Sequence, residues 1–92
     1  MMCLVFWDKK IIDGVYRKLS SRNILYTQLY LPDQIWSIAL EFNTPPIEQG
    51  YECIADEVYF LADTAPHYLL VDGFKFDFFD GPRKIGECIV TT

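Results

Sequence analysis

Apolar and polar residues alternate in short segments along most of this 92-residue chain, and turn-forming residues separate the segments. Proline and glycine leave periodic stretches of about seven to twelve residues between most of them, a spacing that suits strands better than helices. The pattern predicts a single mainly β domain over residues 1–92. We expect a small antiparallel β-barrel or a strongly twisted sheet, with at most one short helix near the N-terminus.

Two adjacent segments predict a first hairpin. Residues 24–31 and 34–42 are rich in Ile, Leu and aromatic side chains, and the pair Pro32-Asp33 lies between them. Proline presets the backbone for a turn, and aspartate tolerates turn conformations, so this pair favours a reversal of the chain.

The clearest strand lies near the C-terminus, where Phe74, Phe76 and Phe78 occupy alternate positions. A period of two places these three rings on one face, and Phe79 then lies on the other. The turn residues Asp80-Gly81-Pro82 follow, and residues 84–91 are predicted to return as the second strand of a hairpin.

Two further segments are less regular. Residues 51–61 indicate a strand whose alternation is interrupted, and one bulge near Asp56-Glu57 would restore it. Residues 8–20 carry an apolar helical face, but Gly14 lies in its middle. Because Asp13-Gly14 equally suits a hairpin turn, helix and turn both remain open here.

The charge is acidic and uneven. Thirteen acidic and eight basic side chains give a net charge of -5, which disfavours direct binding to nucleic acid or to anionic membranes. Residues 1–22 hold five basic and two acidic side chains, a net charge of +3, whereas residues 23–92 hold three and eleven, a net charge of -8. This balance suits a basic partner protein, although a solvated acidic surface is the simpler alternative.

Neither a metal site nor a cofactor site is predicted. Cys3, Cys53 and Cys88 are odd in number, and their spacing with the single His67 does not resemble that of zinc sites. Reduced, buried thiols are the expectation. The N-terminus does not resemble a secretory leader, and no stretch approaches the roughly 20 apolar residues that span a bilayer, so we expect a cytoplasmic protein.

The sequence predicts no catalytic set, and the chain is therefore not expected to be an enzyme. His67 follows a proline in a predicted loop, and no motif supplies it with partners for acid-base chemistry. Asp56 and Glu57 are neighbours, so on a regular strand their side chains point to opposite faces.

Residues 72–91, DGFKFDFFDGPRKIGECIVT, resemble the end of the last β-barrel domain of elongation factor Tu and related translational GTPases. The similarity covers about residues 50–92, and the phosphate-binding loop of the GTPase domain is missing. The resemblance implies a stand-alone barrel of six strands or fewer that acts as a contact surface. The matching positions are Gly73, Lys75, Phe76, Asp80, Gly81, Arg83, Gly86, Val90 and Thr91.

Size, acidity and aromatic content predict a non-catalytic protein-binding module. Its concrete form is an immunity or antitoxin-type inhibitor that neutralises a basic toxin, such as a nuclease. The alternative is a translation-associated barrel that binds elongation-factor or ribosomal partners. The predicted partner-binding residues are Glu52, Asp56, Glu57, Asp63, Asp72, Asp77, Phe79 and Asp80, with Phe79 as the apolar anchor.

Overall fold

The computed structural model describes residues 1–9 and 18–92. Within these residues a one-turn helix, α1 (Pro46–Gln49), and a 3₁₀ turn (His67–Leu69) connect strands, and no helix is long and apolar enough to cross a membrane. The strands are β1 (Met2–Trp7), β2 (Ile24–Tyr30), β3 (Ile35–Glu41), β4 (Glu52–Ala55), β5 (Glu57–Phe60), β6 (Lys75–Asp80) and β7 (Arg83–Thr91).

All seven strands belong to one antiparallel sheet in the order β4-β1-β7-β6-β2-β3-β5. Strands β4 and β5 lie at its two edges, yet only Asp56 separates them in the chain. The N–H of Val58 in β5 also donates to the carbonyl of Met1 beside β1, at 3.2 Å. The two edges therefore meet, and the sheet is curled like a barrel. The predicted mainly β fold is confirmed, but the limit of six strands that the resemblance implied is wrong, because the sheet has seven.

Both predicted hairpins are present. Leu31 and Gln34 exchange two backbone hydrogen bonds, of 2.8 and 3.3 Å, across the Pro32-Asp33 turn between β2 and β3. Strands β6 and β7 pair from Lys75 opposite Ile89 to Asp80 opposite Arg83, and the register shifts by one residue between Phe78 and Phe79. At their turn Gly81 has φ 61°, the left-handed conformation that glycine adopts without a steric penalty.

We expect Gly81→Val to lower the free energy of unfolding by about 2 kcal/mol, because a β-branched residue is strained at this φ. The turn is also tied to β2: the Gly81 N–H donates to Gln28 Oε1 and its carbonyl accepts from Tyr30 Oη, both at 2.8 Å. Urea unfolding measures the loss. Gly81→Asn is the control, since asparagine tolerates this region, and equal losses for both variants would contradict the assignment of the turn.

The irregularity predicted near Asp56-Glu57 is a break between β4 and β5. Before it Cys53 and Ala55 are buried, and after it Val58 and Phe60 are buried, so the inward parity shifts by one residue. Asp56 fixes the break: its N–H donates to the Glu41 carbonyl, and its carboxylate accepts from the Asn43 N–H, each at 2.7 Å. Because of this shift Ile54 points outward, although it is an even number of positions away from the buried Val58 and Phe60.

Other parts of the chain were not predicted. The pattern gave no strand over Met2–Trp7, although Cys3, Val5 and Trp7 alternate there as buried residues. Helix α1 was also missed, because the residues before it predicted only an extended or turned connection. The helix considered over 8–20 falls mainly on residues 10–17 and lies outside the described residues.

The core fills the inside of the curled sheet. Its largest fully buried side chains include Phe78, Leu29, Ile38 and Leu40. Two of its buried polar groups are paired: Thr27 Oγ1 donates to the Ile38 carbonyl at 3.1 Å, and Trp7 Nε1 donates to the Cys53 Sγ at 3.3 Å, whereas the buried Trp36 Nε1 has no hydrogen-bond partner among the described residues. All three cysteines are buried and unpaired, which confirms the expected reduced thiols.

Candidate protein-binding surface

The outer side of β2, β3 and β5 is rich in tyrosine and apolar side chains. Strand register places its outward residues in rows that cross the three strands. In the central row Ala39 lies between Tyr26 and Tyr59, and in the next row Glu41 lies between Ile24 and Glu57. We call this surface the tyrosine face, with the residues Ile24, Tyr26, Tyr30, Ile35, Ala39, Glu41, Glu57, Tyr59 and Leu61.

Five large hydrophobic side chains on this face are open to solvent. Tyr26 is 63% exposed and Ile35 is 58% exposed, and Ile24, Tyr30 and Leu61 are also exposed. Ala39 is fully buried although alternation directs it outward, because its two flanking tyrosines leave it no access to solvent. Exposed tyrosine beside aliphatic residues is the composition that protein interfaces favour.

The charged side chains of the tyrosine face are carboxylates, and Lys18, which lines a recess together with Tyr26, lies beside it. Strands β2, β3 and β5 contain no lysine or arginine, and Glu41 faces Glu57 directly across two strands. Tyr59 Oη donates to the Glu41 carboxylate, which together with burial raises the pKa of Tyr59 to about 12. The amino group of Met1 lies 3.0 Å from the Glu57 carboxylate. The Met1 amino group offsets part of the negative charge of Glu41 and Glu57, and the remaining charge would attract a cation from a partner.

The described residues offer little reactive chemistry. Burial raises the pKa of the Cys53 and Cys88 thiols, so both stay protonated and poorly nucleophilic at neutral pH. His67 is exposed, with its Nε2 atom 3.0 Å from the Ala62 carbonyl and 3.1 Å from the Asp63 carbonyl. Residues 1–9 and 18–92 contain no group of three or more His, Cys, Asp or Glu side chains that could hold a metal ion.

The eight predicted partner-binding residues lie in three places. Four lie on or beside the tyrosine face: Asp56 and Glu57 at its acidic end, Phe79 against Tyr30, and Asp80 near Tyr26. Two more, Glu52 and Asp77, are exposed on the outer side of β4 and β6. The last two, Asp63 and Asp72, are exposed in the loop that joins β5 to β6.

Phe79, the predicted anchor, is only half-exposed. Its ring lies 4.4 Å from that of Tyr30, measured between centroids, at the boundary where β6 meets β2. Tyr30 is the more exposed of the two. Phe79 therefore supports the edge of the tyrosine face, and Tyr26 is the more open aromatic ring.

Tyr26, Ile35 and Glu41 were not among the predicted partner-binding residues. One signal was present: Ile24, Tyr26, Gln28 and Tyr30 share one parity in the first hairpin, and the polar residue among them suggests the outward side. The second signal is that the strands of this face contain no lysine or arginine. It becomes visible only when β5 is placed beside β3.

Comparison of the chain with protein-family profiles, with curated proteins and with solved structures found no match. The resemblance of residues 72–91 to the barrel domain of elongation factor Tu therefore stays a prediction.

Proposed function

We propose that this chain is a non-catalytic binding module that docks a basic partner protein on its tyrosine face. The observation that carries the proposal is the combination on one surface of exposed tyrosine and aliphatic side chains, carboxylates at one end, and no lysine or arginine on the three strands. Apolar anchors would supply the affinity, and the carboxylates would speed association and select for a cationic partner.

The central row gives the most favourable anchor. Tyr26 and Tyr59 lie on either side of the buried Ala39, so a partner side chain placed over this alanine would contact both tyrosine rings. Tyrosine loses little side-chain entropy on binding, and its hydroxyl still reaches a polar rim. A lysine or arginine of the partner at the Glu41–Glu57 end would add to the Met1 amino group in offsetting the repulsion between these two carboxylates.

The concrete form of this function is inhibition of a basic toxin, such as a nuclease, by occupation of its positively charged surface. A nuclease must carry cations to hold phosphates, and an acidic protein of this size can cover them. The net charge of -8 over residues 23–92 supports this form.

Capture on the immobilised chain from cells of its source, followed by mass spectrometry, tests the proposal. We expect a basic protein whose activity the purified chain inhibits stoichiometrically. Tyr26→Ala combined with Glu57→Lys should weaken binding of that protein about tenfold or more, because it removes an anchor and reverses a rim charge. Surface plasmon resonance at two salt concentrations measures the change.

A matched control is Tyr68→Ala combined with Asp63→Lys. Tyr68 is 78% exposed and Asp63 is exposed, both in the loop between β5 and β6, so the control makes the same chemical changes off the tyrosine face. It should bind as the wild type does. Equal affinity for both variants, or recovery of a ribosomal protein or elongation factor whose activity is unaffected, would overturn the proposal.

A further inference from the structure

A second outer surface, formed by β4, β1, β7 and β6, carries charges of both signs. Register arranges its outward residues in two rows across these four strands. We call it the β1 face. Its first row is Glu52, Phe6, Glu87 and Asp77, and its second row is Ile54, Leu4, Ile89 and Lys75.

The middle of the β1 face is apolar and partly open. Phe6 is 37% exposed and Ile54 is 45% exposed, while Leu4 and Ile89 are half-buried beside them. A groove of about 540 Å³ lies between Phe6 and the outward residues of β6 and β7. The face therefore offers both a projecting ring and a recess next to it.

The charges on the β1 face differ in how they are compensated. The Lys84 ammonium group lies 3.4 Å from the Asp77 carboxylate and 3.2 Å from the Glu87 carboxylate. It therefore offsets part of the negative charge of these two residues. Glu52 and Lys75 make no ion pair with any other described residue. They occupy opposite corners of the two rows, one negative and one positive.

We propose that two copies of this chain associate through their β1 faces about a two-fold axis. In a two-fold interface each contact occurs twice, so a copy that sets Glu52 on its partner's Lys75 also sets its own Lys75 on the partner's Glu52. The apolar middles of the two faces then meet as two sheets packed face to face, and the Phe6 ring of each copy lies toward the recess of the other.

Charge selects a second copy as the occupant here. The charged side chains of the tyrosine face are carboxylates, and the Met1 amino group beside it is already paired with Glu57, so its strands hold no lysine or arginine with which a second copy could pair, whereas the β1 face holds both signs in a self-complementary arrangement. A uniformly basic partner would be repelled by Lys75 and Lys84 on the β1 face. The association is independent of the proposed function, because it leaves the tyrosine face of each copy uncovered.

Sedimentation velocity over a range of protein concentrations tests this inference with the chain itself as the probe. We expect the wild type to convert from monomer to dimer as concentration rises. Glu52→Lys and Lys75→Glu should each weaken dimerisation about tenfold or more, since each turns two attractions into two repulsions. The double variant Glu52→Lys/Lys75→Glu restores both pairs and should recover the wild-type dimer.

Asp63→Lys is the matched control, with the same change in net charge as Glu52→Lys at an exposed loop position, and it should dimerise normally. Circular dichroism checks that every variant is folded. A wild type that stays monomeric at all concentrations would overturn the inference, as would a double variant that remains monomeric while the single variants are monomeric. Dimer loss in Asp63→Lys would overturn it too, because the effect would then follow net charge and not position.

Discussion

Phe78→Ala should lower the free energy of unfolding by about 4 kcal/mol, the loss typical of a large aromatic ring removed from a packed core. Phe78 is fully buried in β6, its ring meets Trp7 edge to face with centroids 5.2 Å apart, and it lies opposite Gly86 of β7. The cavity left by the ring would be bounded by β-strand backbone that cannot collapse freely. Urea unfolding followed by tryptophan fluorescence measures the loss.

The control for this prediction is Phe79→Ala, the next residue on the same strand. Phe79 is half-exposed and packs on Tyr30, so its removal should cost about 1 kcal/mol. If Phe79→Ala proved as destabilising as Phe78→Ala, the assignment of inward and outward sides in β6 would be wrong.

Gly86→Ala should lower the free energy of unfolding by about 3 kcal/mol, because overpacking at this point cannot be relieved by a side chain alone. A Cβ atom at Gly86 would lie 2.5 Å from the backbone oxygen of Phe6 and 2.6 Å from the Phe78 ring. The backbone of β1 would have to move away from β7, which would weaken the pairing between these two strands. Thermal and urea unfolding both report the change.

Two comparisons make the Gly86 prediction specific. Gly73→Ala meets no atom within 4 Å, so only backbone strain at φ 87° opposes it, and it should cost about 1 kcal/mol. In the double variant with Phe78→Ala, one of the two obstacles to the new methyl group is gone, so the combined loss should be less than the sum. Additive losses would show that the ring and the glycine are not coupled.

The local parts of the fold followed from the sequence. The C-terminal hairpin was predictable because Phe76 and Phe78 alternate with charged residues and glycine is one of the few residues that its turn accepts. The break at Asp56 was predictable because a shift of parity within one segment requires an extra residue. In both places the evidence lies within a dozen neighbouring residues.

Other features depended on distant parts of the chain. Strand β1 lacks a polar side, since Leu4 and Phe6 are apolar like the inward Cys3 and Val5, so alternation could not reveal it. Helix α1 is a single turn, and the Gln49 side chain exchanges hydrogen bonds of 2.8 and 3.1 Å with the backbone of Ile54. Its place is fixed by the β4 backbone beside it, which the helix sequence does not encode.

The candidate surfaces show the same division. Acidity and aromatic content came from composition, and they indicated a binding protein with a cationic partner. Composition could not group the carboxylates: Glu41 and Glu57 are sixteen positions apart in the chain and face each other only because β5 pairs with β3. The predicted residues were those between positions 52 and 80 that strand alternation and loop position leave exposed, and the structure distributes them over two faces and a loop.

The sequence by itself determined that this chain forms a small β domain with two tight hairpins, because side-chain alternation and turn residues act over a few positions. Only the tertiary structure decided which outward residues share a surface. The strand order places β4 and β5 at opposite edges and sets β1 between β4 and β7, and the curling of the sheet brings the two edges together. Strand order is settled by long-range packing and hydrogen bonding, which join residues that no local pattern connects.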